Sequence, residues 1–285
     1  MAAVLALLSA VVYGSGDFVG GLVARRLPPA AVVLRSNLVG LLGLLAIAPF
    51  FASDHVGAAD LAYGAGGGVV GGIGVLLLYR GLAIGTMSVV APITAVLAAA
   101  VPVGFGLVDG ERPAAAALAG IPIALVAIVL LSRDAGDEGP AEGTAPGVLL
   151  MALGAGLGFG LFFVGLDKAS DDSGMWPLVA GRGASVVLFA LIACFVASAR
   201  VGSRAAREGS TPRLLLLCGV CDSGANALFL LATHQGLLTL VAVLGSLYPA
   251  STVLLATTLT HERLARTQVV GVVLALVAVV LIAGS

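Results

Sequence analysis

Four ionisable side chains stand inside long apolar stretches of the sequence, and they are the residues most able to do chemistry there: Asp17, Arg35, Arg182 and Asp222. A charged group among apolar residues of a bilayer costs several kcal/mol unless it is paired or reaches water. Each of the four is therefore a candidate for binding a proton, a counter-ion or the charged part of a ligand.

Asp17 has two interpretations. It lies at the same depth as Arg35 across a predicted helical hairpin that turns near Arg26, so the two side chains could form a fixed ion pair. Without that partner, Asp17 would bind a proton or a cationic group of a substrate. Ser9 and Tyr13 precede it at intervals of four residues, which places all three on one helical face and favours a polar stripe facing a cavity.

Asp222 is the second acid, and it lies deep in an apolar run where its short side chain cannot reach the membrane surface. Cys218, Asn226 and Thr233 share its helical face. Asp222 is interpreted as a functional acid of a substrate pathway, with hydrogen-bonded packing as the alternative. Arg182 is expected to extend its long side chain to the lipid headgroups, with binding of an anionic group as the alternative.

Three further polar residues are expected near the same pathway. Ser246 and Tyr248 lie in a later apolar run, and His234 closes the run that contains Asp222. Because His234 stands at the end of its run, a solvated histidine is favoured over a proton relay. The complete predicted set of pathway or coupling residues, with no catalytic residue and no metal ligand, is Tyr13, Asp17, Arg35, Asp222, Asn226, His234, Ser246 and Tyr248.

The composition places these residues in a bilayer. Of the 285 residues, 60% are hydrophobic and only 10% are charged, and the mean hydropathy is +1.14. A soluble globular protein has roughly 25% charged residues. The net charge is -1 and no basic cluster is present, so a nucleic-acid partner is not expected. The three cysteines all fall in apolar runs, where they behave as small hydrophobic residues.

Apolar runs long enough to cross about 30 Å of hydrocarbon recur along the whole chain. Clusters of Gly, Pro and charged residues separate them. This pattern predicts an all-α, polytopic membrane protein with ten transmembrane helices, at about 3–24, 29–51, 60–83, 87–108, 113–132, 147–166, 175–199, 213–235, 238–259 and 265–284.

One stretch of the sequence occurs twice. Residues 88–132 and 239–283 each read as an apolar helix, a charged turn and a second apolar helix, at a constant offset of 151 residues. The turns contain Glu111-Arg112 and Glu262-Arg263, and both glutamates are expected to pair with a neighbouring arginine at the membrane surface. Duplication of a half-length unit explains these matches.

The duplication divides the chain into repeats at 1–132 and 147–285, joined by an Asp-, Glu-, Gly- and Pro-rich linker at 133–146. Because each repeat has an odd number of helices, the second repeat crosses the membrane in the opposite sense. The sequence therefore predicts a five-plus-five inverted repeat related by a pseudo-twofold axis in the membrane plane. Close helix packing is predicted at three glycine rows: Gly64, Gly68 and Gly72; Gly154 and Gly158; Gly156 and Gly160.

The stretch Tyr13–Gly21 reads Tyr-Gly-Ser-Gly-Asp-Phe-Val-Gly-Gly and resembles the first-helix signature of the EamA family, in the drug/metabolite transporter superfamily. The two Glu-Arg turns are also similar to that family, as is an arginine near the start of the second helix of each repeat, Arg35 and Arg182. The resemblance covers essentially the whole chain. It implies a ten-helix transporter with a central cavity between the halves, walled chiefly by helices one, three, four, six, eight and nine.

The leading hypothesis is a secondary transporter, most simply an exporter, that moves a small metabolite, amino acid or drug-like molecule by alternating access in the cell membrane. No Gly-x-x-x-x-Gly-Lys-Ser/Thr loop is present, so no nucleotide partner and no cofactor are expected. The expected partners are membrane lipid and the substrate, with a homodimer left open. The alternatives are a non-transporting scaffold or sensor and, less favoured, an intramembrane enzyme, which needs a nucleophile with its base. Enzyme activity is not expected.

Charge predicts the orientation. We define side B as the membrane face that the first helix reaches at its end, and side A as the opposite face. The connections on side B carry ten arginines, whereas those on side A carry only Arg112 and Lys168. By the positive-inside rule, side B is cytoplasmic and both termini lie outside, although the family resemblance implies termini inside.

Overall fold

The computed structural model describes residues 1–24, 27, 29–51, 53–84, 87–131, 146–195, 211–259 and 265–284. Within these residues the fold is all-helical, without a β-strand. The described residues form these α-helices in chain order: α1 (Ala2–Ala24), α2 (Pro29–Ile47), α3 (Ala58–Ile84), α4 (Met87–Val108), α5 (Ala115–Leu131), α6 (Pro146–Asp167), α7 (Trp176–Phe195), α8 (Thr211–Thr233), α9 (Leu238–Gly245), α10 (Tyr248–Leu259) and α11 (Arg266–Ala283). A 3₁₀ turn at Ala48–Phe50 extends α2, and another at Asp171–Ser173 precedes α7.

Seven helices of the described part are long and apolar enough to cross a membrane: α1, α2, α3, α6, α7, α8 and α11. Three further apolar stretches are shorter, at Ile93–Val108, Ala115–Leu131 and Leu238–Thr252. This pattern is that of an integral, multi-pass membrane protein, and the count of ten spans stays a prediction.

Helix bounds follow the predicted spans closely except in the ninth. The predicted span 238–259 consists of two helices, α9 and α10, which are interrupted at Ser246. Pro249 has no backbone N–H to donate to Gly245, and its ring crowds the carbonyl of that residue, so a regular helix cannot continue here. The prediction of one continuous helix is wrong at this point. By contrast, α4 is continuous although it contains Pro102.

Connections between helices meet at one end of the bundle, side A. The backbone N–H of Ser170, between α6 and α7, donates to the carboxylate of Asp60 at the start of α3 at 2.8 Å. Lys168, in the same connection, forms an ion pair with Asp109 after α4. The ends of α2, α4 and α6 therefore lie together, so successive helices run in alternate directions.

The packing partners of the two halves correspond. α1 packs along α8, and α6 packs along α3. α2 contacts α8 and α7 contacts α3, while α4 lies on α6 and the α9–α10 pair lies on α1. α5 packs against α11, its own counterpart. Each contact between two helices therefore has a counterpart between the corresponding helices of the other half.

Glycines set how closely α3, α6 and α7 approach one another. Gly64 and Gly68 face α7, and a Cβ atom at Gly68 would stand 2.1 Å from the carbonyl oxygen of Gly181. On α6, Gly158 faces α3 and Gly160 faces α4. The predicted glycine rows are confirmed as packing faces, and α6 is held between two neighbouring helices.

We expect Gly68→Ala to destabilise the protein by about 1–3 kcal/mol, because the new methyl group overlaps the α7 backbone and forces the helices apart. Gly66→Ala, on the same helix, is the matched control. The space around Gly66 is open, and alanine is the better helix former by up to about 1 kcal/mol. Thermal unfolding of the purified variants measures both effects. Equal melting temperatures for the two variants would contradict this account of the glycine row.

Two predicted segments fall outside the described residues. They are the second Glu-Arg turn, with Glu262 and Arg263, and the linker 133–146 except for Pro146, which begins α6. Most of the side B arginines also lie outside the described residues, so the orientation stays a prediction.

Candidate functional site

A cavity of about 200 Å³ lies among the helices. Its wall takes residues from α1, α2, α3, α4, α6, α7, α8 and α10. The second and seventh helices contribute to the wall, although the sequence resemblance did not include them. Five of the predicted pathway residues meet there: Tyr13, Asp17, Asp222, Asn226 and Tyr248.

Arg182 also lines the cavity, so the expectation that it extends to the lipid headgroups is wrong. Its Nη2 atom lies 2.6 Å from Oδ2 of Asp222, which forms an ion pair between α7 and α8. The Arg182 side chain is 12% exposed and that of Asp222 is 33% exposed, so the pair is partly open to the cavity. Pairing prevails because an ionised Asp222 at this depth would otherwise lack a counter-ion.

Helical periodicity directs Arg182 inward. Leu178, Gly181, Arg182 and Ser185 follow the i, i+3, i+4, i+7 spacing of one helical face, and all four line the cavity. Close contact between Gly181 and α3 brings this face against the cavity. The Ser185 hydroxyl holds it there by donating to the carbonyl of Gly68 at 2.6 Å.

Hydrogen bonds extend the ion pair onto α1 and α2. Arg182 donates to the amide oxygen of Asn37 on α2. The Asn226 amide donates to the Asp222 backbone carbonyl at 2.9 Å and accepts from the Tyr13 hydroxyl on α1. The Arg182–Asp222 pair and its hydrogen bonds therefore connect α1, α2, α7 and α8 around the cavity.

Asp17 contacts no cation and no hydrogen-bond donor among the described residues. It is exposed on α1 and lines the cavity, one helical turn after Tyr13. Arg35 is half-buried on α2 and is not part of the described cavity wall, and the ion pairs of the described residues do not include one between Arg35 and Asp17. Ser9, the third member of the predicted stripe, is buried and donates to the Ala225 carbonyl at 2.8 Å.

Aromatic side chains pack together in and beside the cavity wall. The Tyr13 ring centroid lies 6.3 Å from those of both Phe163 and Tyr248. Phe163 stacks on Phe229 at 4.3 Å, and Phe229 is fully buried. Most of α9 is buried as well. Towards side B the cavity wall reaches Gly20, near the side B end of α1.

A glutamate holds the N-terminus of α9 on side A. The Glu111 carboxylate accepts hydrogen bonds from the backbone N–H groups of Leu238 at 2.6 Å and Thr239 at 2.9 Å, and from the Thr239 hydroxyl. A helix N-terminus favours a negative charge, and its first N–H groups have no acceptor within the helix. The expected pairing with Arg112 is wrong, because that guanidinium donates to the Glu111 backbone carbonyl instead.

Two glycines make the Glu111 contact possible. Gly110 has a φ of 96° and ends α4 in the left-handed conformation. The N–H groups of Gly110 and Glu111 bond back to Leu107 and Gly106 in a Schellman motif, which turns the glutamate towards α9. A Cβ atom at Gly106 would lie 2.3 Å from the Glu111 carboxylate. The small side chains therefore leave room for this contact.

Besides Arg35, two predicted pathway residues are not part of the described cavity wall. Ser246 is buried at the break between α9 and α10. His234 lies on side A beyond α8, with 14% of its side chain exposed and its Nε2 atom 3.6 Å from the Asp171 carboxylate. Burial lowers the pKa of His234 below its ordinary value of 6.5, and Asp171 opposes that shift. The prediction of a solvated histidine is wrong.

We expect the free energy of unfolding to fall as the pH drops below about 6.5, in part because of His234. The unfolded chain takes up a proton near the ordinary pKa, whereas the folded protein resists protonation until a lower pH, so acid favours unfolding. His234→Gln removes this contribution, and its melting temperature should change less than that of the parent between pH values of about 7.5 and 5.5. His55→Gln, at an exposed side A histidine, is the control. An unchanged pH dependence in His234→Gln would rule out this role.

Both halves of the chain match one family profile, that of the EamA-like transporter family, over residues 1–133 and 146–284. This chain belongs to that family. A solved structure described as "Crystal structure of protein" is similar over 98% of this chain and 95% of its own, with a TM-score of 0.76 and 17% sequence identity, which shows a shared fold alone. No curated protein matches the sequence.

In this EamA-family chain, sequence reasoning located both acids of the cavity but missed other parts of its wall. Asn37 carried a usable signal, because an amide inside an apolar run needs a partner. Phe159, Phe162 and Phe163 carried none, since a phenylalanine that lines a cavity looks the same in sequence as one that faces lipid.

Proposed function

We propose that this EamA-family protein is a secondary transporter that exports a small metabolite, amino acid or drug-like molecule across the plasma membrane. The observation that supports it most directly is the cavity, which holds the Arg182–Asp222 pair within a wall drawn from eight helices. Charged groups inside membrane proteins mark ion or substrate pathways. An ion pair kept for structure alone would not need a partly open cavity beside it.

Alternating access is the mechanism we propose. In it, repeats at 1–132 and 147–285 form a five-plus-five inverted repeat of ten spans, joined by the linker 133–146. The corresponding packing partners of the two halves support this arrangement. Each repeat then takes up in turn the conformation of the other, which reverses the side on which the cavity opens. The contact of Glu111 with α9 is broken when side A opens.

Two other functions account for fewer of the observations. A scaffold or sensor without transport has no need of a cavity acid that lacks a cationic partner among the described residues. An intramembrane enzyme needs a nucleophile beside a base, and the described cavity wall includes neither a histidine nor a lysine. We therefore propose transport without catalysis.

Counterflow in liposomes tests this function. Reconstituted protein is loaded with an unlabelled compound, and uptake of the same compound in labelled form is compared with that of protein-free liposomes. Amino acids, sugars, purines and quaternary amines cover the proposed classes. We expect protein-dependent counterflow of at least one class. Absence of counterflow for all four would refute transport as the function.

A further inference from the structure

The cavity wall has more carboxyl groups than cationic side chains. Among the described residues these groups are Asp17, Asp222 and Arg182. Arg182 and Asp222 neutralise each other across 2.6 Å, and Asn37 and Asn226 hydrogen-bond to them. Within the described part of the chain no cation pairs with Asp17, so this wall has one carboxyl group more than it has cations.

This balance disfavours an anionic or zwitterionic substrate. The Arg182 guanidinium already contacts Asp222 and Asn37, so a substrate carboxylate would have to displace one of them. Displacing Asp222 would leave a second unpaired acid beside Asp17, which is costly in a partly desolvated site. A cation bound at Asp17 displaces neither group and gives this carboxyl group the counter-ion that the described residues do not supply.

Aromatic rings line the same cavity as the Asp17 carboxyl group. Tyr13 stands one helical turn from Asp17 and lines the cavity with it, and the ring of Tyr248 lies 6.3 Å from that of Tyr13. The face of an aromatic ring attracts an organic cation by about 0.5–2 kcal/mol. Phe162 and Phe163 add apolar surface to the same wall. The site therefore offers one carboxyl group without a described cationic partner, together with aromatic faces and an apolar surround.

The same wall is poorly suited to the other cationic or polar ligands. A sugar needs many hydrogen-bond partners, whereas most of this wall is glycine, aliphatic or aromatic. For a bare metal ion, the described residues contain no group of three or more His, Cys, Asp or Glu side chains. We propose that the substrate is a monovalent organic cation with an aromatic or aliphatic body, which places its charge against Asp17. This inference rests on the proposed transport function and specifies its substrate class.

Binding of benzyltrimethylammonium to the full chain in lipid nanodiscs tests the inference. Neopentylbenzene is the neutral control, because carbon replaces the charged nitrogen in the same shape. We expect saturable binding of the radiolabelled cation that neopentylbenzene does not displace. Asp17→Asn should weaken that binding at least about tenfold, because the variant loses the direct attraction between the carboxylate and the bound cation.

Two further variants separate the charge of Asp17 from its effect on folding. Asp17→Glu keeps the charge and should bind within about threefold of the parent, whereas Asp54→Asn removes an exposed acid on side A and should bind as the parent does. Equal binding by Asp17→Asn and the parent, displacement by neopentylbenzene, or absence of saturable binding of both benzyltrimethylammonium and tetraphenylphosphonium would each overturn the inference.

Counterflow of the same compounds distinguishes this inference from the proposed function. Transport of a neutral compound by a protein that binds neither cation would leave the transporter standing and overturn the substrate class. Asp17-dependent binding of the cation without counterflow of any compound would overturn the transport function and leave the cation site standing. If Asp17→Asn changes only the pH dependence of transport and leaves cation binding intact, Asp17 is a proton site and the inference is wrong.

Discussion

Transport by the Asp222→Asn variant should fall to the level of protein-free liposomes, at matched expression and at every external pH from about 5 to 8. The substitution removes the counter-ion of Arg182 and leaves a guanidinium unpaired in the cavity. We expect a loss of stability of about 1–3 kcal/mol, less than the roughly 3–5 kcal/mol for a fully buried pair, because this pair is partly open to the cavity. Counterflow and thermal unfolding measure the two effects separately.

Two variants are the controls for this experiment. One removes an acid from a different ion pair, and the other removes both charges of the Arg182–Asp222 pair. Asp109→Asn also removes the acid of an ion pair, but Lys168 and Asp109 are 36% and 43% exposed, and such surface pairs contribute about 0–1 kcal/mol. That variant should transport as the parent does. Combining Arg182→Gln with Asp222→Asn removes both charges and should recover stability without recovering transport. Normal counterflow by Asp222→Asn would show that this acid is not part of the pathway.

Replacing Glu111 with alanine should destabilise the protein by about 2–3 kcal/mol and loosen side A. The change removes the acceptor for two backbone N–H groups and one hydroxyl at the start of α9. Leu238 and Thr239 are buried, so water cannot readily replace the lost carboxylate. A lower melting temperature of the purified variant is the first measurement.

Thiol labelling reports the opening of side A. Val243→Cys, in a cysteine-free background, places a probe on the buried face of α9. We expect Glu111→Ala to raise its labelling rate, because α9 is no longer held at its N-terminus. Arg112→Ala is the control, since this exposed neighbour contacts a backbone carbonyl alone among the described residues. Unchanged labelling in Glu111→Ala would mean that the glutamate does not hold side A closed.

The limits of most helices could be predicted from the sequence, because whether a segment can span a membrane depends mainly on the length and hydropathy of that segment. α4 begins at Met87 and ends at Val108, as predicted from the hydropathy and from the Gly, Pro and charged residues that separate the apolar runs. A bilayer requires about twenty apolar residues in a row, with all backbone hydrogen bonds made within the helix. The break before α10 could not be predicted in this way. Pro102 and Pro249 each remove one backbone donor, yet the helix that contains Pro102 is continuous.

For the candidate site too, the sequence determined one part and the tertiary structure another. The sequence alone determined that Asp17, Arg182 and Asp222 lie within apolar runs, because an acid or arginine in such a run is visible without any neighbour. It also showed that each needs a partner or water, since an isolated charge at that depth is costly. The sequence did not show which partner each of these side chains contacts.

Only the tertiary structure decided that Arg182 pairs with Asp222, that no described cation pairs with Asp17, and that Glu111 reaches α9. Each of these outcomes depends on the rotation and separation of helices that are far apart in the chain. Backbone contacts between small residues, such as Gly68 against Gly181, set those distances. A charged side chain reaches only a few ångströms, so the packing of its helix selects its partner.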